Sequence, residues 1–172
     1  MDFDIVVVGA GPAGLCFACA LADTKLRIAL VETQPEAVLA EPAFDGREIA
    51  LTHFSADVLR QLGIWERLDA SAISPLRDAK VLNGPSLQGM NIEHRHGNKA
   101  ELGYLISNHL IRKAAYDAAK SSHNVTLITE TRVTDLHTDS DGGTVTLANG
   151  DTLRALLIVA ADSRFSATRR AM

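Results

Sequence analysis

Apolar positions follow three kinds of pattern along the chain. Asp4-Ile5-Val6-Val7-Val8 is a β-branched run without alternation, as a strand buried on both faces would be. From Pro12 to Ala22 the spacing predicts a helix, with Ala18, Leu21 and Ala22 on one apolar side. Leu26 to Val31 is a second apolar strand, and Glu32 stands at its end. Regularity is then lost from Thr33 to Asp45, where Pro35 and Pro42 flank Ala37-Val38-Leu39-Ala40 in a predicted loop. Asp45 to Thr52 reads as a turn into an extended segment. Ser55 to Leu62 predicts a helix with Val58, Leu59 and Leu62 facing inward and Gly63 as its stop; Ile64 to Leu68 adds a short helical turn.

The stretch from Ser71 to Gly103 changes character. Pro75, Gly84-Pro85, Gly89 and Gly97 separate short runs such as Ala79-Lys80-Val81-Leu82 and Met90-Asn91-Ile92-Glu93-His94. These predict short strands of a second, smaller sheet. A helical pattern returns over Tyr104 to Ala119, and Val125 to Ile128 predicts a third strand of the first sheet. A β-meander follows. Arg132 to Thr138 is one strand, turning through Asp139 to Gly143 into Thr144 to Leu147. Asn149-Gly150 is a hairpin signal, Asp151 to Arg154 starts the next strand, and Leu156 to Ala161 is a buried one. The fold class is α/β. The chain divides at 1–70, 71–103 and 104–172: a nucleotide-binding part, an insertion, and a return to the first part with the meander.

Between the first strand and the first helix lies Gly9-Ala10-Gly11-Pro12-Ala13-Gly14, a G-x-G-x-x-G turn. Strand, turn, helix, second strand and terminal acid are the context that makes this spacing a dinucleotide site. Gly9 permits the sharp exit from the strand, Gly11 lets a pyrophosphate approach the main chain, and Gly14 lets the helix lie close on the sheet. Pro12 suits the first helical turn, where its missing N–H costs nothing. Ala13 sits in that same turn, whose free N–H groups and dipole face the phosphates. Glu32 follows Gly9 by 23 positions, close to the spacing of a carboxylate that grips a ribose hydroxyl. A carboxylate there repels a 2′-phosphate, which favours FAD or NAD over NADP.

Composition narrows the class further. A hydrophobic share of 47% with 22% charged residues is that of a globular protein, and a net charge of −4 excludes the basic footprint of a nucleic-acid binder. The two cysteines form Cys16-Phe17-Ala18-Cys19. That spacing raises a redox pair, but both fall inside the helix rather than at its N-terminus, which favours small core residues. His94 and His96 alternate as two metal ligands would, with no third ligand at suitable spacing. The N-terminus carries no basic leader and its apolar run is too short to span a bilayer, so a cytoplasmic address is expected, with peripheral membrane contact left open.

Four segments together resemble the flavin-dependent aromatic hydroxylases of the para-hydroxybenzoate hydroxylase type, and more narrowly the ubiquinone-biosynthesis branch. They are the N-terminal turn, Asp45-Gly46-Arg47-Glu48-Ile49-Ala50-Leu51 with the later Leu62-Gly63-Ile64-Trp65, Gly103-Tyr104 with Asn108, and Ala161-Asp162-Ser163-Arg164-Phe165-Ser166 with Arg169. Ser163 departs from the glycine usual in that last segment, where a positive φ would strain a serine. The resemblance implies a Rossmann-like FAD-binding βαβ domain with an inserted β-meander and part of a second small sheet, as in glutathione-reductase-like flavoproteins, here as the truncated N-terminal portion. It implies FAD as cofactor and NAD(P)H as co-substrate, the reduced flavin and O2 hydroxylating an aromatic or quinone precursor. By the same resemblance Arg47 holds the flavin or its phosphates, Arg112 faces the FAD phosphates or ribose, Val133 packs on adenine through its main chain, and Asp162 serves FAD and the nicotinamide. For Arg47 the residues alone favour a solvated arginine after a turn; for Arg112 they equally allow a surface residue, and for Val133 a plain strand position. The resemblance further implies peripheral membrane or biosynthetic-complex association. Another FAD- or NAD-dependent oxidoreductase, or a non-catalytic nucleotide-binding fragment, is the competing class.

Overall fold

A computed structural model describes residues 1–85 and 89–171; positions 86–88 of the predicted insertion and Met172 lie outside the described residues. In chain order the elements are β1 (Phe3–Val8), α1 (Pro12–Cys19), β2 (Ile28–Val31), α2 (Glu36–Ala40), β3 (Glu48–Thr52) and α3 (His53–Gln61). Then come β4 (Ser74–Leu76), β5 (Asp78–Leu82), β6 (Gly89–Glu93), β7 (Gly103–Ser107) and α4 (Asn108–Lys120). The chain finishes with β8 (Val125–Ile128), β9 (Val133–Asp139), β10 (Gly142–Leu147), β11 (Thr152–Ala160) and α5 (Ala167–Ala171). Packing divides these into two compact units, one of residues 1–43 and 112–171, the other of residues 44–111.

The first unit is built on a six-stranded sheet in the order β8-β2-β1-β11-β10-β9. β1 pairs parallel with β2 on one side and β11 on the other, while β9, β10 and β11 form the antiparallel meander. Ile5 to Val8 and Ile28 to Val31 are all buried, which is why those strands are continuous apolar runs rather than alternating ones. One sheet face closes a core of Val6, Val8, Val31, Leu136, Val145 and Leu147. On the other face α1 buries Leu15 and Ala18, and α4 buries Ala115 and Ala119. The parallel part of the sheet, β8-β2-β1-β11, with helices over it is an α/β dinucleotide fold, in which ligands lie beyond the C-terminal ends of such strands.

The second unit holds a three-stranded sheet, β3-β7-β4, and a separate ribbon, β5-β6. α3 is capped by Thr52, whose hydroxyl accepts from the Ser55 N–H at 3.1 Å, and it buries Ala56 and Leu59. The small strands expected between Ser71 and Gly103 are present as β4, β5 and β6.

Four elements differ from the sequence reading. α1 stops at Cys19; Leu21 and Ala22 lie in successive tight turns closed by Leu21 N–H to Ala18 and Ala22 N–H to Cys19. The predicted loop after Glu32 contains the short helix α2. Tyr104 to Ser107, read as helix, is the strand β7, because its main chain is claimed by β3 on one side and β4 on the other. Asp151 to Ala161, read as two strands, is the single β11, and its apolar Leu156 and Leu157 are exposed.

Candidate functional site

The G-x-G-x-x-G turn is held rigid by close main-chain packing. Gly9 has φ +106°, and a Cβ there would lie 2.5 Å from the Ala161 carbonyl oxygen. At Gly14 a Cβ would lie 2.0 Å from the Gly9 carbonyl oxygen. Helix and strand therefore touch main chain to main chain. Gly11 differs: a Cβ there would meet nothing within 4 Å. The turn is bare of side chains at that point, and no side chain caps the start of α1. Open ground beside uncapped N–H groups is what a diphosphate requires.

Glu32 closes the turn from the end of β2. Its Oε2 accepts the Ala10 N–H at 2.8 Å, and its Oε1 accepts the Thr33 hydroxyl at 2.9 Å and the Gln34 N–H at 3.0 Å. Burial pushes this carboxyl's pKa up, but the donors from Gln34, Ala10 and Thr33 outweigh it, so the pKa lies below the ordinary glutamate value. The group is a fixed carboxylate beside the turn.

A cleft of about 320 Å³ opens here within the first unit, and its lining includes Gly9, Glu32, Val133 and Asp162. The structure thus brings together four sequence-predicted residues drawn from β1, β2, β9 and the loop after β11. Gly11, Pro12, Ala13 and Gly14 form the turn and first helical residues next to Gly9. Asp162 Oδ2 accepts from the Thr168 N–H at 3.2 Å and its hydroxyl at 3.0 Å, steadying the first turn of α5. Among the described residues its buried Oδ1 has no partner, and neither does the buried Thr131 hydroxyl in the same lining. Burial raises the Asp162 pKa, but hydrogen bonds from Ser166 and Thr168 outweigh this and lower it. These features fit an adenine dinucleotide: open space at the bare turn, a fixed carboxylate, and unsatisfied polar atoms in one cleft.

Arg132 is in the cleft lining, whereas Arg112, predicted for the site, is not. Arg112 Nη2 donates to Gln34 Oε1 at 3.3 Å, and the Gln34 N–H in turn donates to Glu32, so Arg112 lies one residue removed from the Glu32 carboxylate. Arg47 belongs to the second unit and pairs with Asp45. Sequence reasoning missed Thr131 and Phe165. Thr131 carries no local signal. Phe165 is an exposed aromatic with the Arg164 guanidinium 4.4 Å from its ring centre, and only its place beside the Asp162 segment pointed to it.

Ser163 has φ +107°. A serine in that region is strained by about 1 kcal/mol or more. Ser163→Gly is expected to raise stability by about 1 kcal/mol, less the extra freedom glycine has in the unfolded chain. Denaturant unfolding measures this; an unchanged or lower midpoint removes the strain argument. The cysteines are not a redox pair at a helix N-terminus: Cys19 is buried with its thiol on the Ala115 carbonyl, Cys16 is half-buried, and burial pushes the Cys16 thiol pKa up, away from a reactive thiolate. His94 Nδ1 lies 3.1 Å from Asp78 Oδ1, and among the described residues there is no group of three or more potential metal ligands.

The profile of the family described as FAD binding domain matches residues 2–172. The ubiquinone hydroxylase UbiM of Neisseria meningitidis is 50% identical over 171 residues, covering 97% of this chain and 37% of that protein. The 3-demethoxyubiquinol 3-hydroxylase of Escherichia coli is 27% identical, covering 97% of this chain and 43% of that protein. Among solved structures, the anhydrotetracycline hydroxylase OxyS of Streptomyces rimosus aligns with a TM-score of 0.79 at 24% identity, covering 99% of this chain and 34% of that one; the likeness is one of fold. The chain spans 37% to 43% of the length of these two curated relatives.

Proposed function

Since the chain belongs to the FAD binding domain family, we propose that it is the dinucleotide-binding part of an FAD-dependent monooxygenase acting on an aromatic precursor of ubiquinone, with NAD(P)H as reductant. The observation that carries this reading is 50% identity to a ubiquinone hydroxylase across 97% of the chain, over a fold whose cleft fits the cofactor. When bound, FAD supplies the redox and oxygen chemistry; the protein binds, orients and excludes water. In this reading the N–H groups from Gly9 to Gly14 receive the diphosphate, with Pro12 and Ala13 shaping the first helical turn. Glu32 accepts ribose hydroxyls, the main chain at Val133 lies against adenine, and Asp162 orients the cofactor through its unpaired oxygen. Arg47 and Arg112 serve its anionic groups. A small aromatic or quinone substrate, contact with a membrane surface or a biosynthetic complex, and a cytoplasmic address belong to the same proposal. Among the described residues no helix is long and apolar enough to cross a membrane.

Titrating the purified chain with FAD, ADP and NAD while following its melting temperature tests this. FAD and ADP at one hundred times their dissociation constants are each expected to add about 2.7 kcal/mol of stability. A shift with NAD and none with FAD points instead to an NAD-dependent oxidoreductase. No shift with any of them overturns the nucleotide reading.

A further inference from the structure

Within the first unit, the segment that follows Glu32 is gripped by a row of side chains from α4. α2 is five residues long and the residue it buries is Leu39, so it is too short to hold itself together. Arg112, Tyr116 and Lys120 stand four residues apart on α4 and share one helix face. Arg112 Nη2 donates to Gln34 Oε1 at 3.3 Å. The Tyr116 hydroxyl donates to Glu36 Oε1 at 2.7 Å, and Lys120 Nζ approaches the same oxygen at 2.6 Å. Beside them Lys113 Nζ donates to the Ala40 carbonyl at 2.9 Å and to Glu41 Oε1 at 2.6 Å. Lys120 first and Tyr116 second hold the Glu36 pKa below its ordinary value. Tyr116 itself is only 7% exposed. Burial first and its bond to Glu36 second push its pKa up to about 12, so the hydroxyl keeps its proton and stays a donor.

Glu36 is two residues from Gln34, whose N–H donates to Glu32 Oε1 at 3.0 Å. Between them stands Pro35, with φ −60°. A proline ring fixes φ, so a displacement at Glu36 is passed on to Gln34. From the other side the Glu130 N–H meets the Gln34 carbonyl at 3.4 Å, and the Thr131 N–H meets the Glu32 carbonyl at 3.2 Å. Those two bonds hold main chain and leave the Glu32 carboxylate to Ala10, Thr33 and Gln34. We propose that Glu36 and Tyr116 are positioning residues: Tyr116 anchors Glu36, and Glu36 through Pro35 keeps the Gln34 N–H on the Glu32 carboxylate, which is thereby presented to the ribose in one pose. The inference rests on the assignment of Glu32 to the ribose made above. Its sign separates it from simple charge. Glu36 is an anion in the loop that leads away from the site. As a bystander it repels a nucleotide, and its loss tightens binding. As a positioning residue, its loss weakens binding.

Two measurements on the full chain decide this. The first needs no ligand: exchange of the Gln34 amide with water, followed by NMR. Glu36→Ala and Tyr116→Phe are both expected to speed it roughly fivefold, the scale of one lost hydrogen bond. The Ala161 amide, bonded to the Val8 carbonyl at 2.8 Å in the central sheet, reports any loosening of the whole unit. A Gln34 amide that is unmoved in both variants, or that speeds no more than Ala161, overturns the relay. Should Tyr116→Phe, a change in the core, fail to fold, Glu36→Ala still gives the result. The second is affinity for ADP and for 2′-deoxy-ADP by calorimetry. Glu36→Ala is expected to weaken ADP roughly three- to tenfold, the cost of re-ordering one freed side chain, and 2′-deoxy-ADP less. Glu36→Gln, which keeps an acceptor for Tyr116, is expected to recover most of the lost affinity. In a Glu32→Ala background, Glu36→Ala is expected to do nothing further. Tighter or unchanged ADP binding, an equal loss for both nucleotides, or a loss that persists without the Glu32 carboxylate overturns the proposal. If the unaltered chain ignores ADP and FAD alike, the nucleotide reading fails, while the Gln34 amide still decides whether Glu36 and Tyr116 position Glu32.

Discussion

Gly14→Ala is expected to cost the chain about 3 kcal/mol or more, and Gly11→Ala almost nothing, although each adds one methyl group. The difference lies in what the methyl meets. At Gly14 it would sit 2.0 Å from the Gly9 carbonyl oxygen and 3.3 Å from Val7 Cγ1. The nearest obstacle is main chain, itself held by the Gly9 N–H bond to the Val31 carbonyl at 2.8 Å. It can yield only if α1 lifts off β1, which opens the packing of Leu15 and Ala18. At Gly11 the methyl would meet no protein atom within 4 Å, and φ −73°, ψ 177° suits any L-residue. Ligand affinity reverses the order of interest. Gly11→Ala is expected to fold normally and to lose FAD and ADP, because the methyl fills the ground the diphosphate needs. At this chain length, about 3 kcal/mol at Gly14 lowers the melting temperature by roughly 6–12 °C. Thermal melts with and without FAD read both effects. A Gly11→Ala chain that binds FAD as well as the original moves the diphosphate away from this turn.

That contrast shows which parts of the molecule could be read from the sequence. The opening strand, turn, helix, strand and acid were legible because each step has a local cause: β-branched run, glycines, proline at the first helical position, apolar run, carboxylate. β7 was not, because Tyr104-Leu105-Ile106-Ser107 fits a helical period as well as an extended one. What decides is pairing to β3 and β4, and the approach of Gly103, where a Cβ would lie 2.0 Å from the Leu51 carbonyl oxygen. The apolar run from Leu156 to Ala161 suggested a buried strand, yet Leu156 is 59% and Leu157 49% exposed; composition of a strand does not say what covers it. At Ser163 the departure from an expected glycine flagged strain, and the positive φ is there. The link from Asn108 to Asp45 joins residues 63 positions apart. No local spacing announces such a pair, even though both residues stand in segments that resemble the hydroxylases. The cleft repeats the lesson: Glu32 and Asp162 could each be proposed alone, but Thr131 becomes visible only when the fold sets its hydroxyl in one lining with them.

Glu32→Gln is the substitution with the second large expected effect, and it acts on fold and ligand by separate routes. One carboxylate oxygen serves Ala10 and the other serves Thr33 and Gln34, so all three contacts are donors into an acceptor. An amide satisfies one side only. If its oxygen faces Ala10, its NH2 confronts the Thr33 and Gln34 donors; if flipped, it confronts Ala10. Leaving such groups unpaired is expected to cost about 1–3 kcal/mol. The acid side of the stability profile should change as well. Because the folded-state pKa of Glu32 is lowered, its contribution is complete above the unfolded glutamate pKa of about 4.3 and lost as pH falls through the folded value. The Glu32→Gln chain lacks that share, so its stability should fall less steeply below about pH 4.3 than that of the original. Ligand choice gives the second readout. A carboxylate at the ribose rejects a 2′-phosphate, so the original chain should prefer ADP to 2′-phospho-ADP. Glu32→Gln should narrow that gap, because it weakens the grip on the ADP ribose and removes the repulsion of the 2′-phosphate. Calorimetric titration of both nucleotides against both chains measures it. Equal preference in the two chains would place the ribose elsewhere and leave Glu32 a purely structural clasp on the turn.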